Sequence, residues 1–135
     1  MNRFLSMIAG TCALGLVAAC STSKDSASTA AAQPAPVTGI LIDQACGSKM
    51  LTEADPEKAA SEHPKACATK EACAASGYAV ITGKEMIKFD DNGNAMAKDF
   101  LSKTPKDDDL RVAVQGTREG DKIAVTSLTA ADDPK

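Results

Sequence analysis

Four side chains in this sequence have the chemistry of a metal or thiol site: Cys46, His63, Cys67 and Cys73, spaced C-x16-H-x3-C-x5-C. Three thiols and one imidazole suffice for tetrahedral zinc, or for a soft ion such as Cu(I). The spacing matches no zinc-finger pattern, which would show paired C-x2-C units. His63 and Cys67 stand four apart, the separation that puts two residues on one helix face. A disulfide is the other use, and the one we place first. Three cysteines give one bridge and one spare thiol wherever the surroundings are oxidising. Along an unbroken helix Cys67 and Cys73 would lie about 9 Å apart by Cα, too far to bridge. Cys46 paired with either would close a loop of roughly twenty-odd residues, worth about 3 kcal/mol in loop entropy. If Thr69 caps a fresh helix, the break lets Cys67 meet Cys73 instead. Catalysis is a third use, since a Cys–His pair can supply a thiolate nucleophile. However, the sequence offers no third orienting group, no C-x-x-C and no C-x-x-C-H, so we do not read an enzyme.

The elements that must position these residues can be read around them. Val37 to Ile42 is β-branched and apolar and predicts a strand. Asp55-Pro56-Glu57 predicts an N-cap with proline at the first helical position, and a short helix to about Glu62. Pro64 turns His63 away from helical angles. A second helical piece ends near Ser76, with Gly77 as its stop, and carries Cys67 and Cys73. Tyr78 to Thr82 and Glu85 to Phe89 predict a hairpin turning at Gly83-Lys84. Asp90 to Gly93 predicts a turn, and Ala95 to Lys103 a helix with Met96/Phe100 and Ala97/Leu101 on one apolar face. Leu110, Val112 and Val114 alternate as a half-buried strand. Gly116 to Asp121 predicts a turn, and Ile123 and Val125 alternate again up to Leu128. Five strands with a helix between the third and fourth is the order of the OB-fold barrel. The fold class expected is therefore α+β, mainly β. It is a small five-stranded OB-like barrel or an open sheet, with a helical insert after strand 1.

Composition narrows the partners. Arg3 is the only charged residue among residues 1–19, so without them the chain keeps 14 Lys and Arg against 18 Asp and Glu, a net charge near −4. That balance argues against phosphate-backbone binding. Beyond residue 19 the aromatics are Tyr78, Phe89 and Phe100, too few for base stacking, and no nucleic-acid partner is expected. Asp90-Asp91-Asn92-Gly93 lacks the spacing of an EF-hand loop, whose glycine is sixth and whose glutamate is twelfth. Met50, Met86 and Met96 are expected in the core, although thioethers can also serve Cu(I).

The chain opens with a short positive start and an apolar run from Phe4 to Ala19, ending Val17-Ala18-Ala19-Cys20. The run is too short to span a bilayer, and its small residues suit a signal peptidase. This segment resembles the lipobox of bacterial lipoproteins. The resemblance implies cleavage before Cys20 and acylation of that residue, with the membrane lipid as its partner. Each buried CH₂ is worth about 0.8 kcal/mol, so two or three acyl chains anchor stably. It places the chain in the bacterial cell envelope. If that envelope is Gram-negative, Ser21 in place of an aspartate implies the outer membrane rather than the inner one. Residues 20–36, rich in Ser, Ala and Pro, then read as a disordered tether, residues 37–128 as the globular domain, and 129–135 as a polar tail. Within the domain, Gly39-Ile40-Leu41-Ile42-Asp43, Cys46-Gly47, His63, Cys67, Cys73 and Gly77-Tyr78-Ala79-Val80 resemble a set of uncharacterised bacterial exported proteins. Those proteins imply export and a small β-barrel-like domain, but no activity. The expected role is a binding or structural module stapled by a disulfide, facing an envelope protein or small ligand. Zinc or copper binding is the alternative, with thiol chemistry behind it.

Overall fold

The computed structural model describes residues 34–132; the lipobox, Cys20, nearly all of the tether and the last three residues lie outside them. Strand β1 (Val37–Asp43) leads into four short helices, α1 (Gln44–Met50), α2 (Pro56–Ser61), α3 (Lys65–Ala68) and α4 (Glu71–Ala75). Strands β2 (Tyr78–Thr82) and β3 (Glu85–Phe89) follow, then α5 (Asp91–Lys103), β4 (Arg111–Glu119) and β5 (Lys122–Ala130). The strands close a barrel in the order β1-β2-β3-β5-β4. Closure comes from β1 pairing antiparallel with β4, Val37 opposite Val114 and Ile40 opposite Arg111. The seam between β3 and β5 is parallel and short, Lys88 opposite Lys122 and Phe89 opposite Ile123. The result is the OB-like barrel, and the open sheet is not formed.

Alternation along the strands divides the apolar residues into two groups. Leu41, Val80, Ile87, Val112, Val114, Ile123 and Val125 fill the barrel, and Ala97 and Leu101 of α5 belong to the same core. Ile40, Ile42 and Ile81 form a second cluster with Ala60 of α2, and Cys46, Met50 and Met86 pack against it. Strand β1 is therefore buried on both faces, and the helical insert is what covers one of them. Asp43 continues the face that carries Leu41, at the end of the strand, and is fully buried.

Three local expectations are corrected. Asp90 to Gly93 is a helix start rather than a turn: Asp90 Oδ1 accepts the Gly93 amide at 2.8 Å, and α5 begins at Asp91. Helix α1, whose residues show little apolar periodicity, is an addition to the expected elements and follows β1 directly because Asp43 caps it in the same way. Gly116 lies inside β4, where the register with β5 shifts between Gln115 and Gly116. A Cβ at Gly116 would stand 2.1 Å from the Ala124 carbonyl oxygen, so glycine permits the close approach at this bulge. The turn between β4 and β5 is at Gly120 and Asp121, and β5 continues to Ala130, two residues past the expected boundary.

Candidate metal centre

The insert brings three cysteines to one place from three separate helices. Cys46 lies on α1, Cys67 on α3 and Cys73 on α4. Their Sγ atoms lie within 4.8 Å of one another. All three are half-buried and unbridged, so the expected disulfide is not seen. The α3/α4 break makes the meeting possible. Thr69 ends α3, and Lys70, extended at φ −60° and ψ 142°, opens α4. The cap of the fresh helix is thus Lys70 rather than Thr69. An unbroken helix would have kept Cys67 and Cys73 apart.

Hydrogen bonds tie the cysteine-bearing helices to the barrel and to one another. Tyr78, buried at the start of β2, donates its hydroxyl to the Ala68 carbonyl at 3.1 Å and so fixes the end of α3. Ser76 Oγ donates to the Cys73 carbonyl at 2.6 Å and accepts the Ala45 amide at 3.1 Å, joining α4 to α1. The Gln44 amide donates to the Gly77 carbonyl at 2.9 Å. The Cys46 amide donates to Asp43 Oδ1 at 2.9 Å.

His63 takes a different position from the one its spacing suggested. It follows α2, with its amide on the Ala60 carbonyl at 3.0 Å, and Pro64 separates it from α3. It therefore shares no helix face with Cys67. The histidine does not complete the three-thiol set; its close group is Asp43 and Cys46, again with ligand atoms within 4.8 Å. His63 Nε2 lies 3.9 Å from Asp43 Oδ2, beyond hydrogen-bond distance. Asp43 is 0 % exposed and His63 8 %, yet Asp43 Oδ2 and His63 Nδ1 have no hydrogen-bond partner. Cys46 is common to both groups. Asp43 was not among the candidate residues drawn from the sequence. Its signal was the D-x-x-C spacing, which places a side-chain cap on the amide of a cysteine.

The electrostatics oppose free thiolates. Burial pushes the Cys46 thiol up to about 12, helped by the Asp43 charge and then by Cys67 and Cys73. Cys73 is also raised, first by desolvation and then by Asp43 and Cys67. Burial lowers His63, Asp43 partly offsets this, and Lys70 adds to it, so the imidazole is neutral at pH 7. Tyr78 is raised by burial, by Asp43 and by Cys73. An activated cysteine nucleophile needs the opposite field, one that lowers the thiol. Neutral imidazole, carboxylate and clustered thiols are instead the donor set of a cation, which would displace the thiol protons.

Elsewhere, Met96, Phe100, Thr104, Pro105 and Leu128 line a largely apolar groove of about 470 Å³ between α5 and the end of β5. Met50 and Met86 pack against the same cluster as Cys46, whereas Met96 packs on the barrel core. Among the described residues no helix is long and apolar enough to cross a membrane. Comparison with protein-family models, with curated proteins and with solved structures gives no match to this chain.

Proposed function

We propose that the chain is a bacterial envelope lipoprotein whose barrel domain binds a soft metal ion, Zn(II) or Cu(I), through Cys46, Cys67 and Cys73. The observation that carries this reading is the convergence of three Sγ atoms within 4.8 Å from three different helices. Zinc–thiolate bonds of about 2.3 Å put tetrahedral sulfurs about 3.8 Å apart, so the ion asks only a side-chain contraction of about 1 Å. The buried carboxylate of Asp43 beside the cluster favours the same conclusion, because a cation would compensate its charge. The three cysteines are only half-buried, which leaves a route for an ion from solvent. Anchoring through acylated Cys20 rests on the Val17-Ala18-Ala19-Cys20 pattern.

A structural disulfide is the second reading. It is favoured by the α3/α4 break, which brings Cys67 to Cys73. One experiment separates the two: count metal and free thiols on the full chain purified from its host membrane. Stoichiometric zinc or copper, with three alkylatable thiols once the metal is stripped, supports the metal centre. One disulfide, one thiol and no metal overturns it in favour of the staple. Labelled palmitate should enter the wild-type chain and not Cys20→Ala; equal labelling would remove the anchor.

A further inference from the structure

We infer that this centre holds two metal ions rather than one, with the Cys46 thiolate bridging a three-sulfur position and a second position formed by Asp43 and His63. The inference rests on the metal-binding reading above and extends it from one ion to two.

Cys46 belongs to two ligand triangles, one with Cys67 and Cys73 and one with Asp43 and His63. His63 does not join the first triangle, so a single ion at the three sulfurs would leave His63 outside the coordination sphere and Asp43 Oδ2 without a partner, although Asp43 Oδ1 still caps α1. Both side chains are more than nine-tenths buried, and Asp43 Oδ2, which lies 3.9 Å from His63 Nε2, has no hydrogen-bond partner. Buried polar groups are rarely left unsatisfied, and a buried carboxylate least of all. A carboxylate oxygen, a thiolate sulfur and a neutral imidazole nitrogen form a mixed donor set suited to Zn(II).

Charge points the same way. Three thiolates and one carboxylate carry four negative charges, and the imidazole carries none. One divalent ion leaves a net charge of −2, the fully buried aspartate included; two divalent ions neutralise the set. Lys70, whose charge reaches His63, is exposed to solvent and compensates little. A thiolate has lone pairs enough to bind two ions at once. The thiol protons leave to solvent as the ions enter, and no redox partner is involved.

The test is a Zn(II) titration of the stripped, reduced full chain, with native mass spectrometry for stoichiometry and alkylation of Cys67 and Cys73 for protection. The wild-type chain should take two Zn(II). Asp43→Asn and His63→Gln should each take one and still protect Cys67 and Cys73. The asparagine can keep the α1 cap, so this variant retains the fold while losing the charge. One Zn(II) in the wild type and one in both variants, with the thiols protected throughout, overturns the second position and leaves the first standing. No bound Zn(II) in the wild type overturns both.

Discussion

Asp43 uses its two carboxylate oxygens unequally toward Cys46. Oδ1 accepts the Cys46 amide at 2.9 Å and caps α1, while Oδ2 is buried with no hydrogen-bond partner. The same residue therefore builds the helix that carries the thiol and sets the field that thiol feels. Asp43→Asn separates these roles. In the metal-free chain, loss of the negative charge should lower the Cys46 thiol from about 12, because Asp43 is its second cause after burial. Alkylation of Cys46 near pH 9 should then be faster in Asp43→Asn than in the wild type. An unchanged rate would show that the carboxylate does not govern the thiol. Asp43→Ala should in addition lose about 1 kcal/mol of stability with the cap.

How far the sequence reached can be judged from these same residues. The hairpin Tyr78–Thr82 to Glu85–Phe89 was legible to the residue, because Gly83-Lys84 stands between two alternating runs. The element order pointed to an OB-like barrel or an open sheet, and the closure that decides between them, β1 against β4, is a long-range pairing that no local pattern carries. The gathering of Cys46, Cys67 and Cys73 was open to view only as a set of residue types. Their meeting depends on the break at Thr69 and Lys70 and on Tyr78 reaching Ala68, contacts that no local pattern carries. Asp43 was missed for a related reason: a capping aspartate and a site carboxylate look alike until burial is known. Asp90 to Gly93 was misread because turn and helix-cap residues overlap in type.

His63 gives the metal-free domain a pH dependence whose sign is set by burial. Its folded pKa is lowered, so between that value and about 6.5 the unfolded chain binds the extra proton. Stability is therefore full above about pH 6.5 and is lost as pH falls toward the folded value. Urea midpoints at pH 7.5 and 5.5 should differ more for the wild type than for His63→Gln. Equal differences would assign the acid sensitivity to other groups.

Gly93 sits in the first turn of α5, where helix propensity alone favours alanine by about 1 kcal/mol. A Cβ there would stand 2.5 Å from Val125 Cγ2 and 2.8 Å from Phe89 Cβ. Both neighbours belong to the barrel core, so room comes only by moving strands. Overpacking of this kind costs about 1–3 kcal/mol. Gly93→Ala should thus lower the urea midpoint despite its better propensity, and a raised midpoint would mean that α5 can lift from the barrel freely.

Tyr78 connects the barrel to the helix that bears Cys67 through its hydroxyl. Its hydroxyl bond to the Ala68 carbonyl is the buried contact between the start of β2 and the end of the helix bearing Cys67. Tyr78→Phe keeps the ring and removes the hydroxyl, leaving a buried carbonyl short of a partner. The expected loss is about 1–3 kcal/mol, the cost of leaving one buried partner unsatisfied. Because α3 has only four residues, its own hydrogen bonds resist displacement weakly. Zn(II) affinity should therefore fall in Tyr78→Phe along with stability, with no ligand changed. Lower stability at unchanged affinity would show that Cys67 is positioned by the cluster itself rather than by the barrel.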